Sequence, residues 1–304
     1  MNIPGRWFAA LLATALLGAV PALIPISNAT AAPPDAQVEA LLMPAWLTRH
    51  GKRQPLAPGA ELNNGDIVTT GEGSRVLLRL AEGSVVKLGE NARFKLNGMS
   101  RTRDGNQQRF SASLEVHQGA FRFTTPSAAK SQSARSIDVK FPTITASILG
   151  TDIWGKSTND QELVALIEGK INVTRRGEAP VAMTEAKTVY IAPRDGPPPP
   201  VTAITLAQLN AYAQETELQP GAGAAGKVGN YKIYAARTPN QEEALAVYER
   251  LRDAGYAAAI QPAVSGGKQI YQVRIVGFLS EADGVAVAVK LRVQLGLQDV
   301  RVSL

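Results

Sequence analysis

The sequence predicts an α+β chain of more than one domain, with a long all-β front part and a C-terminal βαβ-βαβ module. Three observations carry this expectation. Residues 227–304 read as two similar halves, with Tyr231 and Tyr271 spaced by 40 residues and Gly255 and Gly296 by 41. Residues 37–192 hold many short runs of alternating apolar residues, broken by glycine-containing turns, with little helical periodicity. Between them lie a four-proline run, Pro197 to Pro200, and a Gly/Ala-rich stretch, Gln219 to Gly226, both of linker composition.

In the first half of the C-terminal module, Tyr231 to Ala236 reads as a strand. Thr238, Pro239 and Gln241 fit N-cap, N1 and N3 of a helix. Leu245, Tyr248 and Leu251 recur at helical spacing, and Gly255 supplies the stop. Tyr256 to Ala263 reads as a strand, closed by a turn at Ser265 to Gly267. The second half repeats the plan: strand Ile270 to Val276, helix start at Ser280 and Asp283, apolar stripe Val285, Val289 and Leu291, stop at Gly296, and a last strand alternating at Val300 and Val302.

Such a module covers one face of its sheet with both helices and leaves the other bare. Tyr271, Val273 and Ile275 fit the covered face, as does Ile233. Alternation then turns Lys232, Tyr234, Gln272 and Arg274 outward. An aromatic platform, an amide and two cations suit a polar polymer better than an apolar ligand.

The strand-helix order and the run Ile270-Tyr-Gln-Val-Arg-Ile-Val-Gly-Phe278, followed by a helix start, resemble a SPOR domain. That family's usual pattern at this strand is close to Tyr-Arg-Val-x-Val-Gly-Pro-Phe. The resemblance implies a ferredoxin/RNP-like fold, similar to the RNA-recognition module, and binding of peptidoglycan on the open sheet face, with a preference for glycan strands stripped of stem peptides. It implies that Lys232, Tyr234, Gln272 and Arg274 are the peptidoglycan-binding residues. The chain departs from the family at Lys232, where Gln is common, and near Ala235, where Ser is.

In the front part, Val76, Leu78 and Leu80 alternate with Leu77 and Arg79, and Val86 and Leu88 continue the pattern after a turn at Glu82-Gly83. Further strands are expected at 92–96, 110–116, 120–124, 137–139, 144–149, 162–167 and 170–175. This predicts a sandwich or a wound, solenoid-like stack. Gly65-Asp66-Ile-Val-Thr-Thr70-Gly71, then Gly73-Ser74-Arg75, Glu82-Gly83-Ser84 and Leu88-Gly89 resemble a FecR-type domain, over roughly Glu61 to Val173. Phe141-Pro-Thr143 and Ile148-Leu-Gly-Thr-Asp152 are similar to that family's closing segment, with Leu149 in place of its Arg and Asp152 in place of its Glu. Named FecR members relay iron-uptake signals through a membrane-spanning segment, and no internal segment here is apolar enough for that. Asp66, Thr70 and the Gly150-Thr151-Asp152 turn are expected to bond local backbone rather than a ligand. Trp46 and Trp154 are expected to be partly buried core residues.

The N-terminus carries one charge, Arg6, in its first 34 residues, then a mostly apolar run from Trp7 to Ile26 and an Ala29-Thr30-Ala31 site. This pattern predicts a signal peptide over 1–31, whether cleaved or kept as an anchor. Beyond it, the expected organisation is a FecR-like domain at 37–193, a linker with a short helix at 194–226 and a SPOR domain at 227–304. The helix start at Thr205 and Gln208, with Leu206, Leu209 and Ala213, leaves open whether that helix packs on the front part or serves as a spacer. The formal net charge is +6, and residues 227–304 hold ten Lys and Arg against seven Asp and Glu. That excess is too small to mark a patch and reads as a solvated surface. Export, not charge, makes the cell wall and anionic lipid surfaces the acidic polymers such a chain meets, rather than nucleic acid.

Catalysis is not expected. The chain has two histidines, His50 and His117, and no cysteine, so zinc-ligand spacings, disulfides and thiol chemistry are excluded. His117 is expected near a strand end, and Glu215 and Glu217 as solvated carboxylates. The expected function is therefore non-catalytic periplasmic peptidoglycan binding in the cell envelope, at the wall and in cell division, with no cofactor. The FecR-like domain would serve protein interaction. The alternative is an envelope sensory or scaffold protein acting mainly through the FecR-like domain.

Overall fold

The computed structural model describes residues 34–104, 107–126, 133–148 and 150–304. The expected signal peptide and Leu149 lie outside them. The described chain is mostly antiparallel sheet with three helices.

The front part opens with β1 (Ala36–Leu42), β2 (Ala45–Arg49), β3 (Lys52–Pro55), β4 (Glu61–Leu62), β5 (Ile67–Thr70), β6 (Arg75–Leu80) and β7 (Val85–Leu88). Two long strands follow, β8 (Arg93–Asp104) and β9 (Gln107–Thr124). It continues through β10 (Ser133–Lys140), β11 (Ile144–Ile148), β12 (Asp152–Ser157), β13 (Gln161–Glu168), β14 (Ile171–Arg175), β15 (Val181–Met183), β16 (Thr188–Pro193) and β17 (Thr202–Ala203).

These strands make two sheets that share β9. One runs β17-β16-β13-β12-β9-β7-β6-β1. The other runs β15-β14-β11-β10-β9-β8-β5-β2-β3, and its β10–β9 pair is parallel. The inward residues of both sheets, such as Leu78, Val86 and Phe123 from one and Phe94, Leu114 and Val173 from the other, form one core. The 110–116 and 120–124 strands expected separately are a single strand. Gly119 between them marks a bend at φ +84°, where a Cβ would lie 2.6 Å from Ala92. His117 accordingly sits within β9, about half exposed, 3.2 Å from Glu115.

After helix α1 (Leu206–Thr216), β18 (Ala224–Gly226) leads into β19 (Tyr231–Thr238), α2 (Gln241–Asp253), β20 (Ala258–Ser265), β21 (Lys268–Phe278), α3 (Glu281–Leu295) and β22 (Arg301–Ser303). Strands pair in the order β22-β19-β21-β20, all antiparallel.

The helix ends and faces differ in part from the expectation. The N-cap of α2 is Asn240, whose side chain accepts from the Glu242 and Glu243 amides; Thr238 instead donates its hydroxyl to the Glu243 carboxylate. Leu245 was expected inward and is 46% exposed, because Ala244 and Leu251 hold the buried face. Likewise Val285 and Val289 are exposed, and Gly284, Val287, Ala288 and Leu291 are buried. Small residues let α3 lie close to the sheet: a Cβ on Gly284 would stand 2.7 Å from Val302. Ser280 caps α3 as expected, and Gly296 ends it in the left-handed region.

Residues 194–226 pack closely on the front part. The Thr205–Gln208 capping box forms, and α1 lies across the outer face of the first sheet. Tyr212 stacks on Trp154 with ring centroids 4.0 Å apart. Glu217 pairs with Lys87 and Arg122, and Glu215 with Lys156. These two carboxylates are therefore ion-paired rather than simply solvated. β18 pairs with β1 and touches β21 through Ala225 and Phe278. The sheet hydrogen bonding thus continues from the front part into the C-terminal module.

Candidate functional site

The covered face of the C-terminal sheet is set by apolar alternation. Ile233, Val273 and Ile275 are fully buried, and the Tyr271 hydroxyl donates to Gln241 at the start of α2. The intervening residues face away from the helices. Tyr234 stands directly opposite Arg274 on one side and Arg301 on the other. Lys232 stands opposite Val276 and Ser303, and Gln272 opposite Gln261. The four residues named from the sequence thus share one face, and each is half-buried.

Two further cations belong to this face and were missed. Arg301 was legible, because it lies between Val300 and Val302. Arg237 was not: a bulge at Ala235 shifts the register, so Arg237 pairs with Gln272 instead of pointing inward. Its guanidinium lies 5.5 Å from the Tyr234 ring centroid. Directly opposed and alternating positions on the four strands carry no carboxylate. Nor does Lys232, Arg237, Arg274 or Arg301 sit in an ion pair among the described residues. The Nε of Arg274 is buried and has no hydrogen-bond partner there. A face of this kind offers an aromatic plate with donors on both sides, suited to acceptor-rich, neutral or anionic ligands.

The groups that hold the module in place are distinct from this face. The Ala45 amide donates to the Gly255 carbonyl, and the Lys227 ammonium to Gln37. Asp283 is buried and its Oδ1 accepts from the Gly223 and Ala224 amides. Burial pushes the Asp283 carboxyl up, but hydrogen bonds from Ser280 and the backbone of Ala224, Gly223 and Gly221 outweigh it and hold the carboxyl below its ordinary range.

In the front part, the glycine-centred turns are structural. Asp66 is buried, accepts from the Arg49 guanidinium at 2.6 Å and from the Asn63 amide. The Thr70 hydroxyl donates to the Gly89 carbonyl and accepts from the Ala92 amide. Asp152 takes two hydrogen bonds from Arg122. Gly65 and Gly73 have positive φ, whereas Gly71 does not and is required by proximity: a Cβ there would lie 2.9 Å from Pro44. Trp154 is buried, and Trp46 is half-buried with Arg53 over its ring. Among the described residues, no group of three or more His, Cys, Asp or Glu is placed to hold a metal ion, and no helix is long and apolar enough to cross a membrane.

Comparison with known families agrees with this division. Residues 66–172 match the family model described as FecR protein, and residues 227–303 match the one described as SPOR domain. The chain thus carries a FecR-type segment followed by a SPOR-type domain, and both families are binding or signalling domains rather than catalytic ones. No curated protein matches the chain. Two crystal structures of a candidate anti-sigma factor from Parabacteroides distasonis ATCC 8503 align at 15% identity and a TM-score of 0.38, covering 76% and 78% of this chain and 92% and 96% of theirs. At that TM-score the likeness carries no argument about this chain.

Proposed function

We propose that this is a non-catalytic periplasmic protein that binds peptidoglycan glycan strands on the open sheet face of its C-terminal module. In this reading residues 1–31 are a signal peptide, 37–193 a FecR-like domain, 194–226 the connection and 227–304 the SPOR domain. The FecR-like domain, of sandwich-like build, serves contact with an envelope protein. The C-terminal module is of the ferredoxin/RNP-like kind, which its β22-β19-β21-β20 order supports.

The observation that carries the reading is the face itself: Tyr234 between Arg274 and Arg301, with Lys232 and Gln272 beside them and no acid opposite. Tyr234 stacks on a sugar ring, and the cations and the amide bond hydroxyls, N-acetyl carbonyls and lactyl carboxylates. Losing one aromatic contact and one charge-assisted bond costs about 2–4 kcal/mol, on the order of 30- to 1000-fold in affinity. The test is co-sedimentation of the full chain with purified sacculi. Tyr234→Ala with Arg274→Ala should abolish it while leaving thermal unfolding nearly unchanged, since exposed-face substitutions cost little stability. Undiminished co-sedimentation would refute the assignment, and release of soluble muropeptides would refute the non-catalytic part.

The FecR-type match favours a second reading, in which the front part carries the specific function in envelope sensing and the C-terminal module only localises it. Point variants of the open face separate the two better than deletion of 227–304, because deletion would strip β18 of its β21 contact and Trp46 of its neighbour Gly255.

A further inference from the structure

Where the C-terminal module meets the front part, the β2–β3 hairpin and α2 enclose an open cleft of about 1070 Å³. Its walls come from both parts of the chain, a common location for ligand sites. Lys52 and Arg53 line it from β3, and Tyr248, Arg252 and Asp253 from α2. The Arg53 guanidinium lies 3.9 Å from the centroid of the Trp46 ring, which fixes its position without neutralising its charge. Lys52 and Arg53 have no carboxylate partner among the described residues, and Arg252 pairs only with its neighbour Asp253, at 3.4 Å. Three cations thus converge on a space holding one carboxylate. Gln54, Pro55 and three alanines, Ala57, Ala257 and Ala258, complete the wall.

We propose that this cleft is a second binding site, distinct from the open sheet face, for a short peptide of small side chains, net negative charge and one free amine. The cations take its carboxylates, Asp253 takes the amine, and the alanines of the wall pack against methyl groups. Wall stem peptides have this chemistry, with alanine methyls, several carboxylates and a diamino acid. The choice of stem peptide rests on the wall-binding reading above. The protein then reads two parts of one polymer: glycan on the open face and peptide at the junction.

The experiment uses the full chain and two soluble probes, a disaccharide-tetrapeptide muropeptide and a peptide-free glycan oligomer, each titrated by calorimetry. The variant is Lys52→Ala, Arg53→Ala and Arg252→Ala together, with Trp46 untouched. The expected result is at least tenfold weaker binding of the muropeptide and unchanged binding of the peptide-free glycan. Tyr234→Ala with Arg274→Ala should give the converse for the peptide-free glycan. Equal binding of the muropeptide by wild type and triple variant overturns the junction site, even where the open-face variant loses glycan binding. Loss of both probes by the triple variant, with an unchanged circular dichroism spectrum, also overturns it, because the two sites would then not be distinct. A wild-type chain that binds the muropeptide but not the peptide-free glycan sinks the open-face reading while leaving the junction site standing.

Discussion

Replacing Gly255 by alanine tests whether the C-terminal module is docked rather than tethered. Gly255 follows α2 at φ +84°, and a Cβ there would lie 2.5 and 2.6 Å from two atoms of the Trp46 ring and 2.8 Å from Pro44. Trp46 and Pro44 belong to the front part; the Pro44 ring is fixed to its own backbone, and Arg53 lies over the Trp46 ring. Gly296 is the internal control. It follows α3 in the same left-handed region, at φ +61°, and its missing Cβ would meet nothing within 4 Å. Alanine at Gly296 therefore incurs only the left-handed backbone cost, about 1–2 kcal/mol. Alanine at Gly255 incurs that plus an overpacking cost of about 1–3 kcal/mol. For a chain this size each kcal/mol moves the melting point by about 2–4 °C, so Gly255→Ala should melt about 2–12 °C below Gly296→Ala. Hydrogen exchange localises the effect. The Ala45 amide, which donates to the Gly255 carbonyl at 3.3 Å, should exchange faster in Gly255→Ala and not in Gly296→Ala. Equal melting points, with Ala45 equally protected in both, would refute the docking argument.

Two other outcomes follow from the packing of residues 205–226. Asp283→Asn should destabilise the chain, with a sign fixed by the depressed carboxyl: burial alone would raise it, and the bonds from Ser280, Ala224, Gly223 and Gly221 lower it further than burial raises it. A depressed folded value gives stability fully present above the unfolded pKa of about 3.9 and lost as pH falls through the folded one. The gap between wild type and Asp283→Asn should thus be flat from about pH 5 to 8 and close below about pH 4; urea melts that show it widening on acidification would reject this. Tyr212→Ala with Glu217→Gln should free α1, whose hold rests on the Trp154 stack and the Lys87 and Arg122 pairs. Exchange of α1 amides should accelerate about 5- to 150-fold, from about 1–3 kcal/mol of lost stacking and ion pairing; unchanged exchange would mean that other contacts hold the helix.

Much of this was readable from residue order. The outward set Lys232, Tyr234, Gln272 and Arg274 followed from Val273, Ile275 and Ile233, because alternation in a strand is local and strict. Arg237 escaped because a bulge at Ala235 depends on pairing with β21, which no local pattern reveals. The helix stripes failed for a different reason. Leu245, Val285 and Val289 lie off the buried faces, where small residues, Ala244 in α2 and Gly284 and Ala288 in α3, sit beside the larger Leu251, Val287 and Leu291. Close helix–sheet approach selected small residues, and hydrophobicity alone ranks them too low. Glu215 and Glu217 looked solvated because their partners Lys156, Lys87 and Arg122 are distant in sequence.

The Gly/Ala-rich stretch before the C-terminal module shows how the same composition has two physical meanings. Small residues free a chain when nothing surrounds them, and let it pass through tight spaces when something does. Here the second holds. Ala224, Ala225 and Gly226 are all buried. A Cβ on Gly223 would lie 2.7 Å from Val287, and one on Gly226 would lie 2.9 Å from Leu279. A Cβ on Gly229 would run into the Gly277 carbonyl. With β18 paired to β1 and touching β21, and Asp283 gripping the Gly223 and Ala224 amides, this stretch fixes the module rather than releasing it. A docked module presents its open face at a set angle to the front part. Under the proposed function, a ligand on Tyr234 and Arg274 would orient the FecR-type segment as well as retain it, which a flexible tether would not achieve.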